Sequence, residues 1–350
     1  MSEVAEVMPR ANSFLIGQEE AEKVFLQAWQ NDNMHHAWIL SGPKGIGKAT
    51  LAYRIARFLL GADFHNKDNY KSLQVAENSA VFQQVASGSN PDLMVVERDY
   101  IETDKKKILS AIKKGEAMDE AELAGLKKSA FIRVDDVRKV SEFLSKTSFN
   151  DGWRVVIIDS ADDMNKNAAN ALLKILEEPP AKTILLLVSH NPGLLLPTIR
   201  SRCAKLPLKT LQNNEVASLL RRYRPNLEEK TIAKLVEMAG GSIGKAIIYA
   251  DMQAFAIYEE LCSILYARQN FRLSDMLDFC TKMAADDDKF ALLEELLMKF
   301  FKDNMSSCQD VEAFYQCKEE AVQMFDDCIG VNMDKRLMLV NLLTEICQVM

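Results

Sequence analysis

The first 202 positions hold no cysteine; all seven (Cys203, Cys262, Cys280, Cys308, Cys317, Cys328 and Cys347) fall in the remainder. No two of them are spaced C-x-x-C, and structural zinc is usually held by closely spaced thiolates, so neither zinc nor another bound metal is expected. An odd, scattered set fits reduced thiols in a reducing compartment. A basic excess is also missing, the formal net charge being −7. A protein that holds DNA alone by neutralising phosphates carries surplus Lys and Arg on at least one face. That balance speaks against a stand-alone DNA binder and leaves room only for a local basic patch. Long apolar runs are absent too: 184–188 (Ile-Leu-Leu-Leu-Val) is strand-sized, far short of the about 20 residues that span a bilayer. Residues 1–13 include Glu3 and Glu6 and no apolar stretch, so no secretory leader is expected and the chain is placed in the cytoplasm. His35, His65 and His190 form no ligand spacing with one another, and no internal repeat is evident.

What is present is ordinary for a globular protein: 48% hydrophobic and 27% charged residues over 350 positions, enough for two or three domains with their own cores. Up to residue 208, short apolar stretches at 37–41, 93–97, 154–159 and 183–189 alternate with segments of helical period. In one of these, Ala169, Leu172, Leu173 and Leu176 recur at i, i+3, i+4 and i+7 before Pro179-Pro180, a pair that stops a helix. Alternation of this kind predicts a mostly parallel, three-layer α/β sheet. From about Thr210 the pattern is helical throughout, with a break at Gly240-Gly241, so a small helical domain is expected up to 250 and a larger one from 251 to 350. The Lys-, Glu- and Asp-rich stretch 102–128 reads as an exposed insertion.

Gly42-Pro43-Lys44-Gly45-Ile46-Gly47-Lys48 follows the first strand and opens a helix. Glycines at these positions let backbone N–H groups curl around phosphate oxygens, the helix N-terminus adds a favourable dipole, and the lysine reaches the terminal phosphates. The next residue, Ala49, stands where a Ser or Thr hydroxyl normally binds Mg²⁺, and Thr50 comes one position late, about 100° around the helix. Val155-Val156-Ile157-Ile158-Asp159 is an apolar strand ending in an acid, as in P-loop enzymes that hold Mg²⁺ there. Its successor is Ser160, not the Glu that often polarises the attacking water. Gly42, Gly45, Gly47, Lys48, Thr50 and Asp159 are thus the candidate nucleotide-binding residues, in a pocket short of hydrolytic groups.

Thr198-Ile199-Arg200-Ser201-Arg202-Cys203 follows the fourth strand and the loop Ser189-His190-Asn191-Pro192. With Asn170-Ala171-Leu172-Leu173-Lys174, Leu176-Glu177-Glu178-Pro179-Pro180, His36-Ala37 and Ile16-Gly17-Gln18, this block resembles the clamp-loader ATPases of the AAA+ superfamily over about the first 250 residues. The resemblance implies an AAA+ P-loop domain at 1–208, a helical lid at 209–250 and an all-α oligomerisation collar at 251–350. It implies that Arg202 is an arginine finger, crossing to a neighbouring subunit's ATP, where such a group is worth orders of magnitude in rate. Ser189 or Asn191 is the candidate γ-phosphate sensor, unless the segment is a plain turn. Gly241-Ser242-Ile243-Gly244-Lys245-Ala246 resembles the lid motif in which an Arg touches nucleotide; Gly244 stands in its place, and Lys245 either substitutes in part or simply starts a helix. The four-cysteine module of several bacterial family members is missing from 61–90.

Two roles in the family fit. One is a subunit in which ATP or ADP binding is weak or vestigial and the finger acts in trans; the other is an ATP-hydrolysing gamma/tau-type motor. Ala49, Ser160 and Gly244 each remove a group that hydrolysis needs, which favours the first. The implied partners are gamma/tau and delta subunits of DNA polymerase III and, through the complex, the sliding clamp (beta) and primed DNA. An unrelated P-loop kinase or helicase loader is opposed by the Ser-Arg-Cys block and the helical last third.

Overall fold

The computed structural model describes residues 8–114, 126, 128–146, 148, 152–267, 272–306, 310–331 and 333–349. Cys308, the opening residues 1–7 and positions 115–125 and 127 of the charged stretch lie outside the described residues. The chain divides into two compact units: Met1–Glu215 with Gly241–Gly244, and Val216–Gly240 with Lys245–Met350.

The first unit is built on five strands, β1 (Ala37–Ser41), β2 (Leu93–Val96), β3 (Arg154–Ile158), β4 (Thr183–Ser189) and β5 (Ala204–Pro207). They form a wholly parallel sheet in the order β2-β3-β4-β1-β5. Among the described residues seven helices accompany them: α1 (Glu19–Gln30), α2 (Lys48–Gly61), α3 (Ala80–Ser87), α4 (Glu102–Lys114), α5 (Val134–Ser145), α6 (Lys166–Glu177) and the single turn α7 (Pro197–Arg200). β3 and β4 are buried along their whole length, and a parallel strand covered on both faces reads as a continuous apolar run. Alternate residues feed two cores. Trp38, Leu40, Val155, Ile157, Leu186 and Val188 pack against α1 and α2, while Ile39, Val156, Ile158, Leu185 and Leu187 pack against α5, α6 and α7. The three-layer architecture follows from that period of two.

Local chemistry sets the helix ends. Asn165 caps α6 by accepting the Ala168 N–H at 2.9 Å. The buried face of α6 is Ala168, Ala169, Leu172, Ile175 and Leu176; of the four residues that mark its helical period, Leu173 is only partly buried. The strand β5 was not expected from the sequence and pairs with β1.

The described residues of the second unit are helical: most of α8 (Asn213–Tyr223), then α9 (Glu229–Ala239), α10 (Ile243–Asp251), α11 (Ala254–Tyr266), α12 (Leu273–Ala284), α13 (Asp287–Asn304), α14 (Val311–Val331) and α15 (Lys335–Val349). Asp286 caps α13 by accepting from the Asp288 and Lys289 amides at 2.9 and 3.1 Å. Phe290, Phe300, Phe301, Phe314 and Phe325 are buried at its centre. No helix among the described residues is long and apolar enough to cross a membrane.

Candidate functional site

Strand order brings three sequence-distant loops to one edge of the sheet. β4 lies between β1 and β3, with Ser41 level with Ser189 and Ile158 level with Leu187. The loop after β1, the Asp159-Ser160 pair after β3 and the His190-Asn191 pair after β4 therefore open at the same carboxyl end, where parallel sheets bind their ligands.

The loop 42–47 is held by the chain itself. Gly45 (φ +80°) and Gly47 (φ +99°) occupy the left-handed region, which glycine adopts without the Cβ clash of other residues. Its carbonyls all have internal donors. The Lys48 ammonium donates to Gly42 O at 2.6 Å and Pro43 O at 2.5 Å. Ser242 Oγ donates to Lys44 O at 2.8 Å, and the Gly244 amide to Gly45 O at 2.9 Å. Gln18 Nε2 donates to Ile46 O at 3.2 Å, and the Leu51 amide to Gly47 O at 2.9 Å. Gln18 also ties the loop to the segment just after β5, donating to Lys209 O at 2.8 Å and accepting from Lys209 N at 3.3 Å. Packing is as close as the bonding. A Cβ on Gly244 would lie 2.7 Å from Gly45 Cα, so the position read as a lost arginine is one where only glycine fits.

Lys48 is almost wholly buried, and that burial pushes its pKa down to about 8 despite the nearby Asp162 and Asp159 carboxylates. Burial, then Glu97, raises the Asp159 carboxyl above its usual range. Ser160 adopts φ +56° and brings its hydroxyl 3.1 Å from His190 Nε2. Asp162 accepts from the His190 amide at 3.0 and 3.2 Å and from the Asn191 amide at 3.2 Å. Burial, then Lys48, lowers the His190 pKa, favouring a neutral ring beside the serine.

Lys48 and Asp159 are thus brought together at the phosphate loop, whereas Thr50 is buried in α2. Of the two candidate sensors, Ser189 is completely buried and its hydroxyl has no partner among the described residues; Asn191 is exposed, its Oδ1 accepting the Gly193 amide at 3.2 Å. Lys245 points its ammonium at Glu295, 3.0 Å away, which also accepts from Tyr249 Oη at 2.8 Å. His190 and Asp162 were not singled out from spacing, and both line this edge; the available signal was the position of His190 directly after β4 and of Asp162 in the turn that follows β3.

Arg202 is engaged elsewhere. Its Nη1 donates to Thr198 O at 3.1 Å and its Nη2 lies 3.0 Å from Glu177 Oε1. On one side Ser201 Oγ bonds the same Thr198 carbonyl at 3.1 Å. On the other Cys203 is buried, which pushes its thiol up to about 12 and keeps it neutral. The Ser-Arg-Cys order therefore pins the backbone on both sides of an arginine left 37% exposed.

These groups suit the phosphates of a nucleotide better than they suit its metal. Backbone amides, a helix N-terminus and a buried ammonium form an anion cradle, but a methyl group at Ala49 and a hydroxyl at Ser160 replace the metal-binding and water-polarising oxygens. Among the described residues no cluster of three or more His, Cys, Asp or Glu is gathered to hold a metal ion. A family model described as DNA polymerase III, delta subunit, matches residues 17–212, which carry the phosphate loop, Asp159 and Arg202. The chain belongs to this family. Members of the DNA polymerase III delta family that it resembles include the delta' subunit of Pseudomonas aeruginosa, 36% identical over 211 residues (59% of this chain, 53% of the relative). The delta' subunit of Bacillus subtilis is 29% identical over 203 residues (58% of this chain, 51% of the relative). A tau/gamma subunit of Haemophilus influenzae is 26% identical over 298 residues (83% of this chain, 37% of the relative). The chain spans about half the length of the two delta' relatives, 53% and 51%.

Proposed function

We propose that this chain is the delta-prime-type subunit of a clamp loader, with little ATPase of its own and an arginine that completes a neighbour's ATP site. The reading is carried by one juxtaposition: a phosphate loop stripped of its metal and water-activating oxygens at Ala49 and Ser160, in the same unit as a braced, half-exposed Arg202. ATP or ADP occupies the loop weakly, held by its amides and Lys48. Arg202 faces the γ-phosphate bound by a gamma/tau-type subunit, where a fixed guanidinium stabilises charge that develops during phosphoryl transfer. A region at 251–350 joins the chain to its neighbours as a collar, and 209–250 serves as the lid. The assembly, with a delta subunit, places the sliding clamp on primed DNA. A gamma/tau-type motor role is opposed by the same two missing oxygens together with Gly244.

The test is steady-state ATPase and clamp loading by complexes reconstituted with gamma/tau and delta, carrying wild-type or Arg202→Ala protein, after equal assembly has been verified. A finger contributes about 10³–10⁵ in rate at its own site. Silencing one site among several should slow total hydrolysis by roughly a few-fold and clamp loading by more. Arg202→Lys should recover only part, because an ammonium lacks the planar fork of donors. Equal rates for wild-type and Arg202→Ala complexes in both assays would remove the finger.

A further inference from the structure

The residue that holds the head of Arg202 is Glu177, and the two come from segments 25 residues apart by number. Glu177 is the last residue of α6, after which Glu178 leaves helical geometry and Pro179-Pro180 follow. Its carboxylate is 3.0 Å from Arg202 Nη2, while Nη1 donates to Thr198 O at 3.1 Å. The guanidinium is therefore gripped on two of its nitrogens by two different elements. Both are anchored: Leu172, Ile175 and Leu176 of α6 share one buried core with Ile199 of α7 and with Cys203.

An exposed ion pair contributes little to stability, because water screens it and two long side chains must be held still. At 37% and 51% exposure the pair is therefore a poor staple. It is well suited to another task. A free arginine samples many rotamers, and a charged group presented already in position spares the entropy of finding it when the phosphate arrives. We propose that Glu177 is a positioning residue for Arg202, setting the direction in which the guanidinium leaves this subunit. This rests on the finger reading above and adds the residue that aims it. The carboxylate also offsets part of the arginine's charge, an effect that would act in the opposite sense and that solvent exposure weakens.

The experiment is a double-mutant cycle on the reconstituted complex with gamma/tau and delta, using wild type, Glu177→Gln, Arg202→Ala and the double variant, with Glu177→Asp as the conservative control. The readouts are kcat and KM of the clamp- and DNA-stimulated ATPase, with co-purification as the check on assembly. Glu177→Gln should lower kcat where Arg202 is present, by no more than the few-fold loss that Arg202→Ala itself gives, leave KM for ATP unchanged, and do nothing further in the Arg202→Ala background. Glu177→Asp, which keeps the charge on a shorter stem, should restore part of the loss. If Arg202→Ala slows the complex but Glu177→Gln does not, the positioning role is overturned and the finger stands. An additional loss in the Arg202→Ala background, or a faster Glu177→Gln complex, overturns it as well, the first by showing a role independent of Arg202 and the second by showing restraint. If Arg202→Ala itself changes nothing, the finger falls first and this inference with it.

Discussion

Adding a single methyl group at Gly244 should destabilise the first unit, although helix chemistry alone predicts the reverse. Gly244 is the second residue of α10 and its φ is not positive, and Ala in place of a helical Gly gains roughly 0.5–1 kcal/mol. Against this, the new Cβ would lie 2.7 Å from Gly45 Cα and 3.4 Å from Gly45 O. Those are backbone atoms of a loop whose carbonyls are already bonded, so no flexible side chain can swing aside. Forcing an extra carbon into such packing costs about 1–3 kcal/mol, and pushing the segment away also strains the hydrogen bond from the Gly244 amide to Gly45 O, worth roughly 0.5–1.5 kcal/mol. The net expectation is a loss of about 1–3 kcal/mol. For a unit of about 200 residues that lowers Tm by roughly 2–12 °C. The protein supplies its own probe, since its three tryptophans, Trp29, Trp38 and Trp153, all belong to the first unit, and their fluorescence follows that unit's melting. Gly61→Ala is the matched control, because the Cβ would meet only Val81 at 3.5–3.8 Å, ordinary contact, and should leave Tm unchanged or slightly raised. A Gly244→Ala protein melting at or above the wild-type temperature would refute the close approach.

Three further expectations concern the same loop. On the proposed reading, in which Lys48 helps hold a nucleotide, ADP affinity should fall as pH rises through and above about 8, because burial has brought the pKa of its ammonium down to about 8; calorimetry between about pH 7.5 and 9.5 should show this dependence vanish in Lys48→Met. The folded state also binds fewer protons than the unfolded chain between about 8 and the ordinary lysine value of about 10.4. Wild-type stability should therefore rise across that window relative to Lys48→Met, measurable as urea midpoints, and no such rise would contradict the buried placement. Gln18→Ala strips partners from Ile46 O, Lys209 O and Lys209 N at once and should lower stability by about 1–3 kcal/mol, with a tryptophan melting curve superimposable on wild type as the contrary result.

Much of this molecule can be read from its sequence, and the exceptions share a cause. Val155 to Ile158 and Ile184 to Val188 announce their strands because both faces are buried and every residue must be apolar. β5 does not announce itself: Leu206 is buried while Lys205 and Pro207 are exposed, and at a sheet edge pairing needs neither an apolar run nor a proline N–H. The phosphate loop and the Ser-Arg-Cys block are legible because their chemistry is contiguous. The contacts that define what those motifs do are not contiguous. Ser160 meets His190 across 30 positions, and Ser242 meets Lys44 across 198. Spacing within a motif carries no information about partners that only the fold brings near. Gly244 could be recognised from sequence as a missing arginine, yet the reason for glycine there lies in Gly45.

The bonding of residues 42–47 bears on how such motifs persist. Each carbonyl in that loop is claimed by a donor from this same chain: a lysine six residues on, a glutamine at the head of α1, a serine and an amide from the 241–244 segment. Drift at Gly45, Lys48 or Gln18 would be punished through folding long before any nucleotide was consulted. The G-x-x-x-x-G-K spelling therefore has a task in this architecture, as a keystone has in an arch, that is separate from any catalysis it is usually taken to advertise. A census of ATPases drawn from that spelling alone would be counting letters that, in this chain, the scaffold also requires.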